Sequence, residues 1–180
     1  MKKIMLALLL LLVCKVVTSQ ESFSLDVLVD PKLAMMTDDY GNSPLTLNSL
    51  VNASVQFEQR DFGYYFLGQS LEYADLHGGT YIRYSILQFG YTFNRLPFSD
   101  RIESSVALNY GIVKRWSFDF ANFGGILDLA YCISERFKLT CLMQVVRRTD
   151  IESPTDDPTI YRASFFVGFK FNFSKRNGFY

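Results

Sequence analysis

A histidine with a serine and a carboxylate close by is the side-chain set that acyl transfer requires. This chain of 180 residues carries its single histidine, His77, a few positions after Ser70 and Glu72. In such chemistry the imidazole takes the hydroxyl proton while the carboxylate orients the ring. Ser70 and Glu72 fall on one strand phase. His77 sits in the turn-forming stretch 75–79 (DLHGG), where a solvated histidine is the plain alternative. Other candidates are thinner. Asp38-Asp39 and Asp156-Asp157 supply carboxylate pairs, but no spacing matches a calcium loop and solvated loop charge accounts for them. Lys114-Arg115 and Arg147-Arg148 stand at strand ends, as phosphate-pairing groups or as ordinary rim charge. Asn52-Ala53-Ser54 has the form of a glycosylation acceptor inside a predicted strand, and is read as coincidence. No catalytic, metal or cofactor site is assigned, and no enzyme is expected.

The elements that must position any such residues are strands. Phe165, Val167, Phe169, Phe171 and Phe173 are apolar at every second position, with Ser164, Gly168, Lys170 and Asn172 between them. Alternate side chains of a strand point to opposite faces, so one face is apolar and the other polar. The pattern recurs back along the chain. Phe23, Leu25, Val27 and Val29 oppose Ser24, Asp26 and Asp30 in a strand placed at 22–36, which Pro31 interrupts by a bulge or an early end. Val51 to Phe57 alternate over 47–59. A strand at 62–74 has an ambiguous phase, because Tyr64, Tyr65, Phe66 and Leu67 are consecutive. Leu87, Phe89, Tyr91 and Phe93 mark a strand over 80–94, and Ile102 to Ile112 another over 101–114. Leu127 to Ile133 mark 116–133, where Gly124-Gly125 suggests a bulge, and Leu139 to Val145 mark 137–148. Eight strands result, with the longest connections after the first and seventh. The fold class is all-β: an eight-stranded antiparallel up-and-down β-barrel, expected to cross a membrane.

Residues 1–19 read as a secretory signal: Lys2 and Lys3, the apolar run Ile4–Val13, then Val17-Thr18-Ser19 before the cleavage position. The run is too short for a transmembrane helix. The barrel is placed at 20–173 and a short tail at 174–180. Charge is balanced, with 18 basic and 18 acidic residues, which gives no footprint for nucleic acid. Cys132 and Cys141 fall on opposite faces of neighbouring strands, so they are read as two small buried residues without a direct bridge.

Alternation alone does not say which face is the interior. A lipocalin-like soluble barrel puts its apolar face inside, around a ligand, and a membrane barrel puts it outside, toward lipid. Two features favour the second arrangement. Aromatic residues gather where the short turns lie (Phe57, Phe62, Tyr91, Phe93, Phe98, Tyr131, Phe137, Phe171 and Phe173), with a weaker set, Tyr73, Tyr81, Trp116 and Tyr161, at the other end. Two interfacial girdles have that form. The opposite face carries charges of both signs: Asp26, Glu58, Glu103 and Asp128 with Lys138 and Lys170. In a narrow lumen these must pair, and barrel closure brings Lys170 toward Asp26.

On these residues the chain resembles the small eight-stranded outer-membrane barrels of Gram-negative bacteria, of the kind that includes OmpX, OmpW and the OmpA membrane domain. Phe165, Val167, Phe169, Phe171 and Phe173 resemble that family's C-terminal assembly signal. The tail Ser174–Tyr180 departs from it, because the family's aromatic is usually last. The resemblance implies location in the cell outer membrane. It also implies contact with lipid and lipopolysaccharide, passage through the outer-membrane assembly machinery, and room for an unidentified protein partner. At eight strands the interior is just filled by side chains, which predicts a structural or interaction role and no general porin activity. A lipid-modifying enzyme and a soluble periplasmic lipocalin-like binder are the alternatives.

Overall fold

The computed structural model describes residues 22–36, 46–60, 62–76, 79–94, 99–115, 118–147 and 161–173, apart from the side chains of 58–60 and 115. The signal segment, the tail, His77, Asp38-Asp39, Asp156-Asp157, Phe98, Trp116 and Arg148 lie outside the described residues. So do the Arg115 and Glu58 side chains.

Eight strands close into an all-antiparallel up-and-down barrel in sequence order. They are β1 (Phe23–Val29), β2 (Asn48–Arg60), β3 (Gly63–Leu76), β4 (Gly79–Phe93), β5 (Ile102–Arg115), β6 (Phe118–Cys132), β7 (Phe137–Arg147) and β8 (Tyr161–Asn172). β8 closes on β1, with Lys170 opposite Asp26 and Phe169 opposite Val27. Full closure leaves no unpaired sheet edge.

The first strand is shorter than expected. β1 stops at Val29, and Pro31–Met35 form a one-turn helix, α1. Pro31 cannot donate to a strand ladder but suits the start of a helix. Asp30 caps that start, accepting from the Lys32 and Leu33 backbone N–H groups at 2.9 and 3.3 Å. Between β3 and β4, Gly79 has φ 108°, a conformation that favours glycine over residues with a Cβ.

The expected bulge at Gly124-Gly125 is absent: β6 pairs without interruption through Leu108–Gly125 and Asn109–Gly124 on one side and Gly124–Val146 on the other. A bulge lies in β4 instead. Ser85 pairs with Gly111 and Leu87 with Tyr110, so Ile86 is the extra residue. Ile86 and Leu87 both point outward, 42% and 52% exposed. The strand therefore changes phase at this point, and Tyr81, Arg83 and Ser85 join Gln88, Gly90 and Thr92 on the inner face.

The inner face is mostly polar and the outer face mostly apolar. Arg83, Asn109, Gln144 and Asp26 are each 1% exposed, whereas Leu108, Val106, Phe89 and Phe169 are exposed by 44 to 57%. The ambiguous β3 resolves with Tyr64 and Phe66 inside and Tyr65 and Leu67 outside. Phe66 fits because Gly90 faces it: a Cβ at Gly90 would lie 2.5 Å from the Phe66 ring. Outward aromatic rings touch along one end of the barrel. Phe23 meets Phe173 at 5.5 Å, Tyr65 meets Tyr91 at 4.9 Å, Tyr91 meets Phe93 at 4.9 Å, and Phe137 meets Phe171 at 5.0 Å. At the other end Tyr73, Phe118 and Tyr161 face out. Tyr81, expected among them, is instead buried inside with Ala74 and Val113, because of the β4 phase change.

Candidate functional site

The barrel interior is the site that sequence reasoning singled out, and it divides into three levels. In the middle, Leu28, Leu50, Phe66, Ala107, Ile126, Leu142 and Phe166 form one apolar cluster. Along β5, Glu103 precedes the cluster residue Ala107 and Asn109 follows it toward the loop-bearing end. Along β7, Gln144 and Lys138 flank Leu142 in the same way. The cluster therefore separates an upper polar chamber, near the β3–β4 hairpin, from a lower one, near the ends of β1 and β8.

The upper chamber is organised by Arg83. Its guanidinium donates to Asn122 Oδ1 at 3.1 Å, Gln144 Oε1 at 2.9 Å and Asn109 Oδ1 at 2.8 Å. Glu72 lies 3.9 Å from Arg83 Nη1 and accepts from Gln144 Nε2 at 2.7 Å. The three amide oxygens match the fixed fork of guanidinium donors, a geometry an ammonium cannot reproduce. Sequence reasoning missed Arg83. Counting back from Gln88 in unbroken alternation puts it outside, and only the apolar run Ile82, Tyr84, Ile86, out of step with Leu87 and Phe89, signals the bulge.

The lower chamber holds five of the six residues expected to form a lumen charge network. Lys170 Nζ lies 2.5 Å from Asp128 Oδ2 and 3.8 Å from Asp26 Oδ2. Asp26 also accepts from Asn52 Nδ2 at 2.9 Å, and the Thr140 hydroxyl donates to Asp128. Lys138 Nζ lies 2.5 Å from Glu103 Oε2, which also accepts from the Tyr64 hydroxyl at 3.4 Å. The anticipated Lys170–Asp26 approach is present, but the nearer partner of Lys170 is Asp128, two strands away on β6. The sixth residue, Glu58, has its side chain outside the described set.

The remaining candidates do not assemble into a reactive centre among the described residues. Ser70 and Glu72 do share the inner face, as their phase predicted, and are 9% and 4% exposed. Glu72 is engaged by the upper network. Lys114 is exposed and Arg147 half-buried at the loop-bearing rim. Asn52 points inward and is 5% exposed. Cys132 and Cys141 form no disulfide, and both are half-buried rather than buried. Cys132 approaches Glu103 Oε1 at 3.8 Å, whereas Cys141 lies between Leu129 and Val167 on the outer face. Among the described residues no group of three or more His, Cys, Asp and Glu is placed to hold a metal. Phe165, Phe169, Phe171 and Phe173 are all exposed on the outer face and Val167 is half-exposed beside them.

These features define a closed, eight-stranded, all-antiparallel up-and-down β-barrel whose inner face, among the described residues, is mostly polar. Comparison with family models, with curated proteins and with solved structures found no match.

Proposed function

We propose that this chain is an integral outer-membrane β-barrel whose lumen is filled by its own side chains, acting as a structural or interaction component and not as a general porin or an enzyme. The observation that carries the reading is its reversed amphipathicity. Phenylalanine, leucine, valine and tyrosine cover the outer wall, while Arg83, Lys138, Lys170, Asp26, Glu103 and Asp128 are buried inside. Water around such a wall would face contiguous apolar surface far beyond what soluble monomers expose, whereas lipid would not. The rings of Phe23, Tyr65, Tyr91, Phe93, Phe137 and Phe173 suit one membrane interface, and Tyr73, Phe118 and Tyr161 the other.

Under this reading residues 1–19 direct export, and the Phe165–Phe173 face is read by the outer-membrane assembly machinery. Lipid and lipopolysaccharide cover the wall, and the loop-bearing end is presented to a protein partner. A lipocalin-like role is not favoured, because a ligand cage needs an apolar hollow. Among the described residues, an interior pocket lined by Gln88, Thr92 and Asp128 has about 10 Å³ for the centre of a water molecule, room for about one water.

Fractionation tests the reading directly. The protein should sediment with outer membranes, need detergent for release, and migrate faster on a gel when unheated than when boiled. Release in soluble form with periplasmic contents would sink it. In planar bilayers the purified protein should give no large steady conductance, and an open pore would remove the filled-lumen claim while leaving the membrane location intact.

A further inference from the structure

β3 carries a polar side chain where the outer wall is otherwise apolar. Gln69 is exposed and stands between Leu67 and Leu71 on the outer face, at the middle of Gly63–Leu76. Tyr65, of the lower ring of aromatics, lies four residues before it, and Tyr73, of the upper ring, four residues after it, about 13 Å along the strand in each direction. Its partner on β2 is Ala53. On β4 it lies opposite the Ile86–Leu87 bulge, because Gly68 pairs with Gln88 and Ser70 with Ser85. Leu67, Leu71, Ala53, Ile86 and Leu87 bring no side-chain donor or acceptor to it. Among the described residues, the charged side chains on the outward faces of the strands (Asp75, Lys114, Asp119 and Arg147) all stand at loop-bearing ends.

Under the membrane reading proposed above, on which this inference rests, that position is the centre of the hydrocarbon. Hydrocarbon offers an amide neither donor nor acceptor, and the glutamine side chain is too short to reach either interface. A glutamine amide carries both kinds of group. It is therefore complementary to itself: about a two-fold axis, Nε2 of each copy donates to Oε1 of the other. The wall around it suits such a contact. Toward the short-turn end of β2–β4, Phe57, Tyr65, Phe89, Tyr91 and Phe93 are linked by ring contacts of 4.9 to 6.2 Å. Rings already held against one another lose little freedom when a partner covers them. Ala53, beside Gln69, is small enough to let two walls come close.

We infer that the β2–β4 wall is the interface of a homodimer within the membrane, with the two Gln69 amides hydrogen-bonded to each other across its two-fold axis. A different protein would have to bring a polar group of its own to the same depth, whereas a second copy does so by symmetry. The opposite wall has no such requirement. On β7, four strands away around the barrel, Leu139, Cys141, Met143 and Val145 stand outward and place no amide or charge in hydrocarbon, so lipid alone covers them.

Two measurements test the interface. In isolated membranes, copper-phenanthroline oxidation of Gln69→Cys should give a product of twice the monomer mass. The wild-type chain, whose Cys132 and Cys141 lie on the inner face and on the β7 wall, should stay monomeric under the same oxidation. For the mature protein folded in micelles, energy transfer between labelled copies, followed on dilution with detergent, reads the dimer dissociation constant. Gln69→Leu should raise it about tenfold through the loss of two interfacial hydrogen bonds, while keeping the heat-modifiable gel band. An unchanged constant for Gln69→Leu, or a wild-type monomer at every detergent ratio, would overturn the inference. So would a Gln69→Cys product joined to a protein of another mass, which would give the wall to a different partner. Any of these results from a heat-modifiable protein that needs detergent leaves the membrane reading standing. A protein soluble without detergent would remove that reading and the inference with it.

Discussion

The two polar chambers solve the same problem in different ways. In the upper one, among the described residues, the fully buried Arg83 lies near Glu72, and three amide oxygens on three strands complete its fork. In the lower one two lysines are divided among three carboxylates, with Asp26 taking the longer contact, 3.8 Å against 2.5 Å for Asp128. The Arg83–Glu72 pair is balanced in charge and directional in its bonds. The lower set is unbalanced, and ammonium groups are compact point charges without a fixed fork. The difference teaches that burial of charge in so narrow a barrel can be made tolerable by geometry in one place and by ion count in another. Each chamber should therefore fail under a different substitution.

Removal of a lower lysine should have the largest effect. Lys170→Met takes the shared cation from Asp128 and Asp26 together and leaves two buried carboxylates behind. Breaking a buried pair from one side costs about 3–5 kcal/mol, and with two anions stranded the upper part of that range is expected. Urea unfolding in micelles reads it. A loss below about 1 kcal/mol would mean that the lower chamber is hydrated and that its charges are not confined.

Arg83→Leu should come next, at about 3 kcal/mol, because it strands one carboxylate, which keeps the Gln144 donor, and otherwise only the neutral amide oxygens of Asn109, Asn122 and Gln144. The informative control is Arg83→Lys. If directional bonding matters, lysine restores the charge but not the three amide contacts, and should recover less than half of the loss. Full recovery by lysine would erase the distinction between the chambers.

The same contrast explains what could be read in advance. The lower chamber was legible because Asp26, Glu103, Asp128, Lys138 and Lys170 sit on strands whose alternation runs without a break, so inner and outer faces follow from counting by two. β8 is the clearest case. The upper chamber was not legible, because its organiser stands beyond the Ile86–Leu87 bulge, where one extra residue reverses every later assignment along the strand. That reversal both hid Arg83 and placed Tyr81 on the wrong face. The run Tyr64–Leu67 stayed ambiguous for another reason. The Phe66 ring fits inside because Gly90 clears space across the sheet, and such pairing of a ring with an absent side chain leaves no periodic trace. Early termination of β1 at Pro31 was legible as an interruption, but the capped turn of helix after it was not.

The smallest expected effect is the sharpest discriminator. Asp26→Asn removes one negative charge from the chamber that carries one in excess, while keeping the shape and an oxygen able to accept from Asn52. Lys170 retains Asp128 at 2.5 Å. The substitution should change stability by no more than about 1 kcal/mol, the net scale of one exchanged hydrogen bond. The corresponding change above the apolar cluster, Glu72→Gln, takes a carboxylate from a balanced set and leaves Arg83 buried without that counter-charge, so it should cost about 3 kcal/mol. If the two chambers differ in ion count, these isosteric substitutions must separate by a clear margin in side-by-side unfolding. If they cost the same, charge balance is not what distinguishes the chambers, and the three amide contacts of Arg83 alone account for the difference between them.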